Sequence, residues 1–368
     1  MPHNSAMTLE FNEAVKRMPA YPAAGGYALA EPVVLLASNE SPYPPLPEVV
    51  AAASAAIEGA NRYPDPTNAR LREALSDRYG VPIEQIAIGN GSCDVLLAVG
   101  AALLEPGAEL VYAWPSFSVY PQLEAASGAR AIRVALDAQE RHDLDAMAAE
   151  ITVATRLVIV CNPNNPTSTA VELERIARFV EAVPSHVCVL LDEAYCEFNV
   201  LDDPDASIAL LDRHPNLVLL RTFSKIYGLC GLRVGYALCG SRELPDAVNQ
   251  IRQPFFCNAA AQAAAVEALR HQDEVARRVE RVAIAHGQMQ DGLRALGIEP
   301  ADSQANFCWF DLGDGRDETD VVSGLANRGV LVRAGAALGK PGALRVTYGT
   351  PPENDRFLEA LGEVLAGA

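Results

Sequence analysis

The chain has 368 residues, 50% hydrophobic and 21% charged, with 47 acidic against 29 basic side chains and a formal net charge of −18. That balance argues against general nucleic-acid binding, which needs cationic surface, and no apolar run reaches the roughly 20 residues that span a bilayer. Length allows two domains with a large buried core. The eight cysteines are scattered without a C-x-x-C pair. With no basic flank or apolar core in the first ten residues, this predicts reduced thiols and a cytoplasmic protein.

In chain order, residues 1–44 are rich in Pro and Gly and are expected to form an arm packed on a small domain or a partner subunit. From 84 to 240, short apolar or β-branched runs at 85–88, 109–113, 131–135, 156–160, 187–191, 217–221 and 234–239 read as strands. Helical patterns such as 171–183 lie between them. This alternation predicts an α/β fold, with a central, mostly parallel, seven-stranded sheet covered by helices in a large domain spanning 45–260. Beyond 258 come helices at 259–271 and 273–296, strands near 307–310, 330–332 and 343–346, and a last helix at 354–365. They predict a smaller α+β domain over 261–368. In open α/β sheets ligands gather at the carboxyl ends of strands, so the segments just past each strand carry the most information.

Gly89-Asn90-Gly91-Ser92-Cys93 follows the first strand and opens an apolar helix. It is either an ordinary strand-to-helix turn or a phosphate cradle, since glycine permits close backbone approach and a helix start attracts anions. Trp114-Pro115-Ser116-Phe117 offers an aromatic that could stack on a flat ligand, or simply join the core. In Cys161-Asn162-Pro163-Asn164-Asn165-Pro166, two prolines restrain a loop that could hold Asn165 as a rigid donor, or let Asn satisfy its own turn. Asp192 ends a buried apolar strand, where a carboxylate needs a cation unless it caps the next helix. The sequence also carries only three lysines, Lys16, Lys225 and Lys340, so 26 of its 29 basic residues are arginines. Lys225, in Thr222-Phe223-Ser224-Lys225 with Arg233 eight residues later, is either a surface lysine in a loop or an amine kept because a guanidinium cannot form a Schiff base.

In this order (phosphate loop, aromatic, Asn-Pro loop, Asp, Lys, Arg) the chain resembles the fold-type I pyridoxal-phosphate aminotransferases of class I/II. Within them it is most similar to the histidinol-phosphate aminotransferase family. The likeness runs from Asn39-Glu40 to Gly349 and includes Arg62-Tyr63-Pro64-Asp65-Pro66 and Leu344-Arg345-Val346-Thr347-Tyr348-Gly349.

The resemblance implies the cofactor pyridoxal 5'-phosphate, with Lys225 as its covalent anchor and proton shuttle. It implies Asp192 at the pyridine nitrogen, Asn165 and Tyr195 at the phenolate oxygen, and Phe117 against the ring. Gly91, Ser92, Cys93, Ser224 and Arg233 would meet the phosphate. Tyr63 would reach the phosphate of a neighbouring subunit, making the active unit a homodimer with shared sites. Arg345, assisted by Arg333, would clamp the acidic end of an amino donor, with Tyr21 and Asn39 closing over it. A 2-oxo acid, 2-oxoglutarate in the family, would be the acceptor. No nucleic acid, membrane or metal is implied.

Three features depart from the family pattern: Ser168 where glycine is usual, Phe117 where tyrosine is more frequent, and a shortened segment between Arg333 and Arg345. The same motifs are compatible with an aromatic amino acid (phenylalanine) aminotransferase. More distantly they fit a phosphothreonine decarboxylase or a non-catalytic cofactor-binding regulator.

Overall fold

The computed structural model describes residues 9–18, 33–313 and 315–367. In chain order its strands are β1 (Val34–Leu35), β2 (Ile86–Gly89), β3 (Glu109–Trp114), β4 (Arg130–Ala135), β5 (Thr155–Cys161) and β6 (Cys188–Asp192). They continue as β7 (Leu217–Thr222), β8 (Gly235–Cys239), β9 (Phe307–Asp311), β10 (Val330–Leu331), β11 (Arg333–Ala334) and β12 (Ala343–Thr347). The seven strands expected between 84 and 240 form one sheet, ordered β2-β8-β7-β6-β5-β3-β4, with β8 alone running antiparallel to its neighbours.

Period-two geometry explains why these runs are apolar throughout. Along β5, Val158 and Val160 enter one core, while Leu157, Ile159 and Cys161 enter the core on the other face. A strand covered on both sides has no solvent face to hold polar residues. The helix Leu173–Ala182 covers the first face with Ile176, Phe179 and Val180. The helix Ser92–Leu103 covers the second with Val95, Leu96 and Val99. Each such buried side chain contributes up to about 1.5–3 kcal/mol of transfer free energy. Strand ends thereby become the places where polar residues leave the core.

A third core gathers Val34, Leu36, Met289, Leu293, Phe310, Val346, Phe357 and Leu361. It lies on a three-stranded antiparallel sheet ordered β11-β12-β9, with the helices Gln272–Ala295, Glu318–Asn327 and Pro351–Ala366 contributing to it. Two details differ from the sequence expectation. The strand expected at 330–332 ends at Leu331 as β10, which pairs in parallel with β1, and a further strand that was not expected, β11, follows at Arg333–Ala334 and pairs with β12. The chain thus passes from one small sheet to another within four residues, a step that periodicity over so short a run cannot register. The boundary expected at residue 261 falls inside the helix Ala259–Ala268, whose Ala261, Ala264, Ala265 and Ala268 pack into the core of the large sheet.

Candidate active site

The carboxyl ends of β3, β5, β6 and β7 meet the three-stranded sheet around a cavity of about 420 Å³. Asn39, Ser92, Cys93, Phe117, Asn165, Asp192, Tyr195, Ser224, Lys225, Arg233, Arg333 and Arg345 all line it. The charged lining is Lys225, Arg233, Arg333 and Arg345 against Glu40 and Asp192, four basic side chains to two acidic. The local balance is therefore the reverse of the chain's net −18, as an anionic ligand requires.

Asp192 closes β6 and is buried. Burial pushes its carboxyl up to about 6, against the pull of Tyr120 and of the Ala194 amide. The Tyr120 hydroxyl donates to Asp192 Oδ2 at 2.8 Å, and Ala194 N–H donates to Oδ1 at 3.3 Å. Both sequence readings of this aspartate hold in part: it receives the next turn's amide, yet its burial still favours a cationic partner.

Lys225 Nζ donates to the carbonyls of Ser38 (3.2 Å) and Asn39 (3.0 Å). Burial, then the nearby Arg345 guanidinium, bring this amine down to about 8. A larger share of Lys225 is therefore unprotonated and nucleophilic near neutral pH than for an ordinary lysine.

The glycine cradle is sterically enforced. Gly91 has φ +82°, and a Cβ there would lie 2.3 Å from Arg233 Nη2. A Cβ on Gly235 in β8 would lie 2.3 Å from the Ser92 amide nitrogen. Both glycines let the start of the Ser92–Leu103 helix, with amides that have no partner inside the helix, approach Arg233 and β8 closely. Arg233 itself has φ +61° after the turn Cys230–Leu232 and donates to the Cys230 carbonyl at 2.8 Å.

Tyr195 and Asn39 form one unit: Asn39 Nδ2 donates to the Tyr195 hydroxyl at 3.0 Å. Thr347 Oγ1 accepts from the Asn39 amide (2.8 Å) and donates to Asn39 Oδ1 (3.2 Å). Asn165 Oδ1 accepts from Arg345 Nη1 at 2.6 Å, and Arg345 Nη2 donates to the Ala37 carbonyl at 2.6 Å. Arg333 and Arg345 are register partners on β11 and β12, and both are buried. Arg333 is therefore not a surface arginine. Phe117 meets Tyr120 edge-on, with ring centroids 5.7 Å apart.

Tyr63 lies outside this cavity. It is 80% exposed, and its ring stacks on Phe255 at 4.4 Å. Tyr21 falls outside the described residues. Ser168, where the family favours glycine, has φ +61°, and its hydroxyl donates to the Thr167 carbonyl at 2.6 Å. The loop thus keeps a left-handed residue without the glycine, in a conformation that serine adopts less readily.

Sequence reasoning missed Tyr120 as the partner of Asp192, the Ser38 and Asn39 carbonyls as the rest for Lys225, and Leu338 as part of the wall. Tyr120 was visible only as an aromatic in a strand-following segment, and nothing local tied it to a residue 72 positions away.

A depressed amine, a buried carboxylate with no ion pair among the described residues and a glycine-enforced anion cradle together suit a phosphorylated pyridine aldehyde. Residues 31–361 match the family Aminotransferase class I and II. The chain belongs to that family. An aromatic amino acid aminotransferase of Cutibacterium acnes is 39% identical to it, over 98% of this chain and 100% of the relative. Histidinol-phosphate aminotransferase 2 of Pseudomonas aeruginosa is 45% identical, over 91% of this chain and 89% of the relative. The crystal structure of histidinol-phosphate aminotransferase from Sinorhizobium meliloti in complex with pyridoxal-5'-phosphate superposes with a TM-score of 0.86 at 28% identity, covering 98% of this chain and 99% of that one. This protein is accordingly a pyridoxal-phosphate-dependent transferase of amino groups with the fold-type I architecture.

Proposed function

We propose that the amino donor is histidinol phosphate and the acceptor 2-oxoglutarate, which would place the enzyme in histidine biosynthesis. The observation that carries this reading is the arginine pair. Arg333 and Arg345 face each other across β11 and β12, both buried and both lining the cavity. Two like charges at facing positions are destabilising unless an anion lies between them. A phosphate dianion matches two guanidinium forks better than a single carboxylate does.

Pyridoxal phosphate, when bound, supplies an aldehyde for the amine and a ring that accepts the electron pair left at the donor's α-carbon. In our reading Gly91, Ser92, Cys93, Ser224 and Arg233 hold its phosphate, and Phe117 packs on its ring. Asp192 faces its pyridine nitrogen, and Asn165 and Tyr195 face its phenolic oxygen. Lys225 moves the proton at the α-carbon, a task for which an amine near 8 is well matched. Arg345, oriented by Asn165 and Ala37, and Arg333 hold the donor's anionic end so that the α-carbon meets Lys225. Tyr63, exposed in one protomer, serves the phosphate of a second copy, so the working unit is a homodimer. We place it in the cytoplasm; no helix among the described residues is long and apolar enough to cross a membrane.

A second reading, aromatic amino acid transamination, is favoured by Phe117, which brings no hydroxyl to the cavity, and by the apolar Leu338 in the same lining. The name of the Cutibacterium acnes relative supports it too. The deciding experiment mixes the cofactor-loaded protein with each donor in the absence of oxo acid and follows the visible cofactor band. Faster conversion by histidinol phosphate than by phenylalanine is expected. The opposite order transfers the assignment to the aromatic donor.

A further inference from the structure

Of the three lysines in a chain that otherwise uses arginine, Lys340 has no part in the chemistry above, yet it joins two cores. Its ammonium pairs with the Glu140 carboxylate and donates to Asp311 Oδ2 at 2.9 Å. Glu140 lies in the loop after β4, whereas Asp311 ends β9. Glu140 thus follows a strand of the large sheet and Asp311 belongs to the three-stranded one, and Lys340 bridges the two. Lys340 also sits in the turn that joins β11 to β12, the two strands bearing Arg333 and Arg345. Inside that turn, Lys340 N–H donates to the Gly335 carbonyl at 3.0 Å, and Gly335 N–H donates to Ala343 at 2.8 Å.

Three further contacts tie the same point to the cavity. Gly339 is pressed so closely on the Trp114 indole that a Cβ would lie 2.7 Å from it. Leu338, buried in the same turn, lines the cavity. The Glu140 carbonyl accepts from Thr167 Oγ1 (3.0 Å) and Thr169 Oγ1 (2.6 Å), in the loop that carries Asn165.

We propose that Lys340 is a positioning residue. Its ion pairs with Glu140 and Asp311 latch the 335–342 turn against Trp114 and the Asn165 loop, and so set the fit of the cavity to the amino donor. The proposal rests on reading the cavity as the donor site. A compact ammonium with three donors can serve two carboxylates on separate segments. The Lys340 and Glu140 side chains are 32% and 28% exposed, so the latch remains open to water and salt. A pair so exposed could instead add almost nothing to the molecule, and that is the competing outcome.

The test compares Lys340→Ala and Glu140→Gln with wild type as holoenzymes. Expected in both are a KM for the amino donor raised roughly three- to tenfold, a kcat within about twofold and an unchanged cofactor absorption band. Backbone amides of 335–342 should exchange hydrogen faster in both variants without any substrate, and Lys340→Arg should recover part of the KM. Wild-type KM and wild-type exchange in both variants would overturn the latch. So would a fall in kcat and in the cofactor band at constant KM, which marks damage to the cofactor site. If neither donor converts the wild-type cofactor band, the donor-site reading fails, and the exchange measurement still decides whether Lys340 holds the turn.

Discussion

The two halves of the cavity are built differently. The half that fits the cofactor stands on the ends of a continuous seven-stranded sheet. Asp192, Lys225 and the Gly91 cradle each follow directly from a buried strand. The half we assign to the substrate stands on β11 and β12, two and five residues long, joined by one turn whose Lys340 pairs with Glu140 and Asp311. The first half is placed by strands packed on both faces; in the second, β12 is likewise buried between β11 and β9, while the turn that carries Leu338 is tied to the large sheet by the polar contacts of Lys340. Interior packing holds the groups we assign to the chemistry rigidly, and we assign donor selectivity to the half in which one turn depends on partly exposed ion pairs.

The largest effect should come from the rigid half. Lys225→Ala is expected to abolish the visible cofactor band and lower turnover by roughly 10³-fold or more with every donor alike. Residual turnover that still favours one donor strongly would blur the division between the halves.

Arg333→Ala, in the other half, should leave that band intact. It should lower kcat/KM for histidinol phosphate by roughly 30- to 100-fold, the scale of losing one charged hydrogen-bond partner, and much less for phenylalanine. Equal losses for both donors would assign Arg333 to general architecture.

Asp192→Asn sharpens the contrast in the cofactor-free protein. The Asp192 carboxyl lies at about 6 in the folded chain, above its ordinary 3.8, so between those values the folded state binds more protons than the unfolded one. Stability then falls as pH rises through that window. Asparagine removes that penalty. Thermal or urea unfolding without cofactor should find Asp192→Asn more stable than wild type at pH 7, by about 2–3 kcal/mol. The gap should close towards pH 4, while cofactor binding weakens. A variant less stable than wild type at pH 7 would mean that the Tyr120 bond outweighs burial.

Legibility followed the same division. The seven central strands and the order of motifs past their ends could be read because a doubly buried strand must be apolar along its length and must end where a polar residue appears. In the substrate half, the strand expected at 330–332 is β10, but β11 at Arg333–Ala334 went unread, being too short to show a period. Val34–Leu35, inside the expected arm, could not be recognised as a strand because two residues carry no period. Tyr120 beneath Asp192 and Thr347 beneath Asn39 join positions 72 and 308 residues apart, and no local pattern encodes such a meeting.

The sequence by itself determined the family and the cofactor, because amine, carboxylate and glycine have chemistries that neighbouring residues cannot replace. Only the tertiary structure decided which carbonyls hold Lys225, that Tyr63 is exposed outside the cavity, and that Arg333 is buried opposite Arg345. Each of these depends on segments distant in the chain arriving at the same place, and that is settled by packing rather than by local spacing.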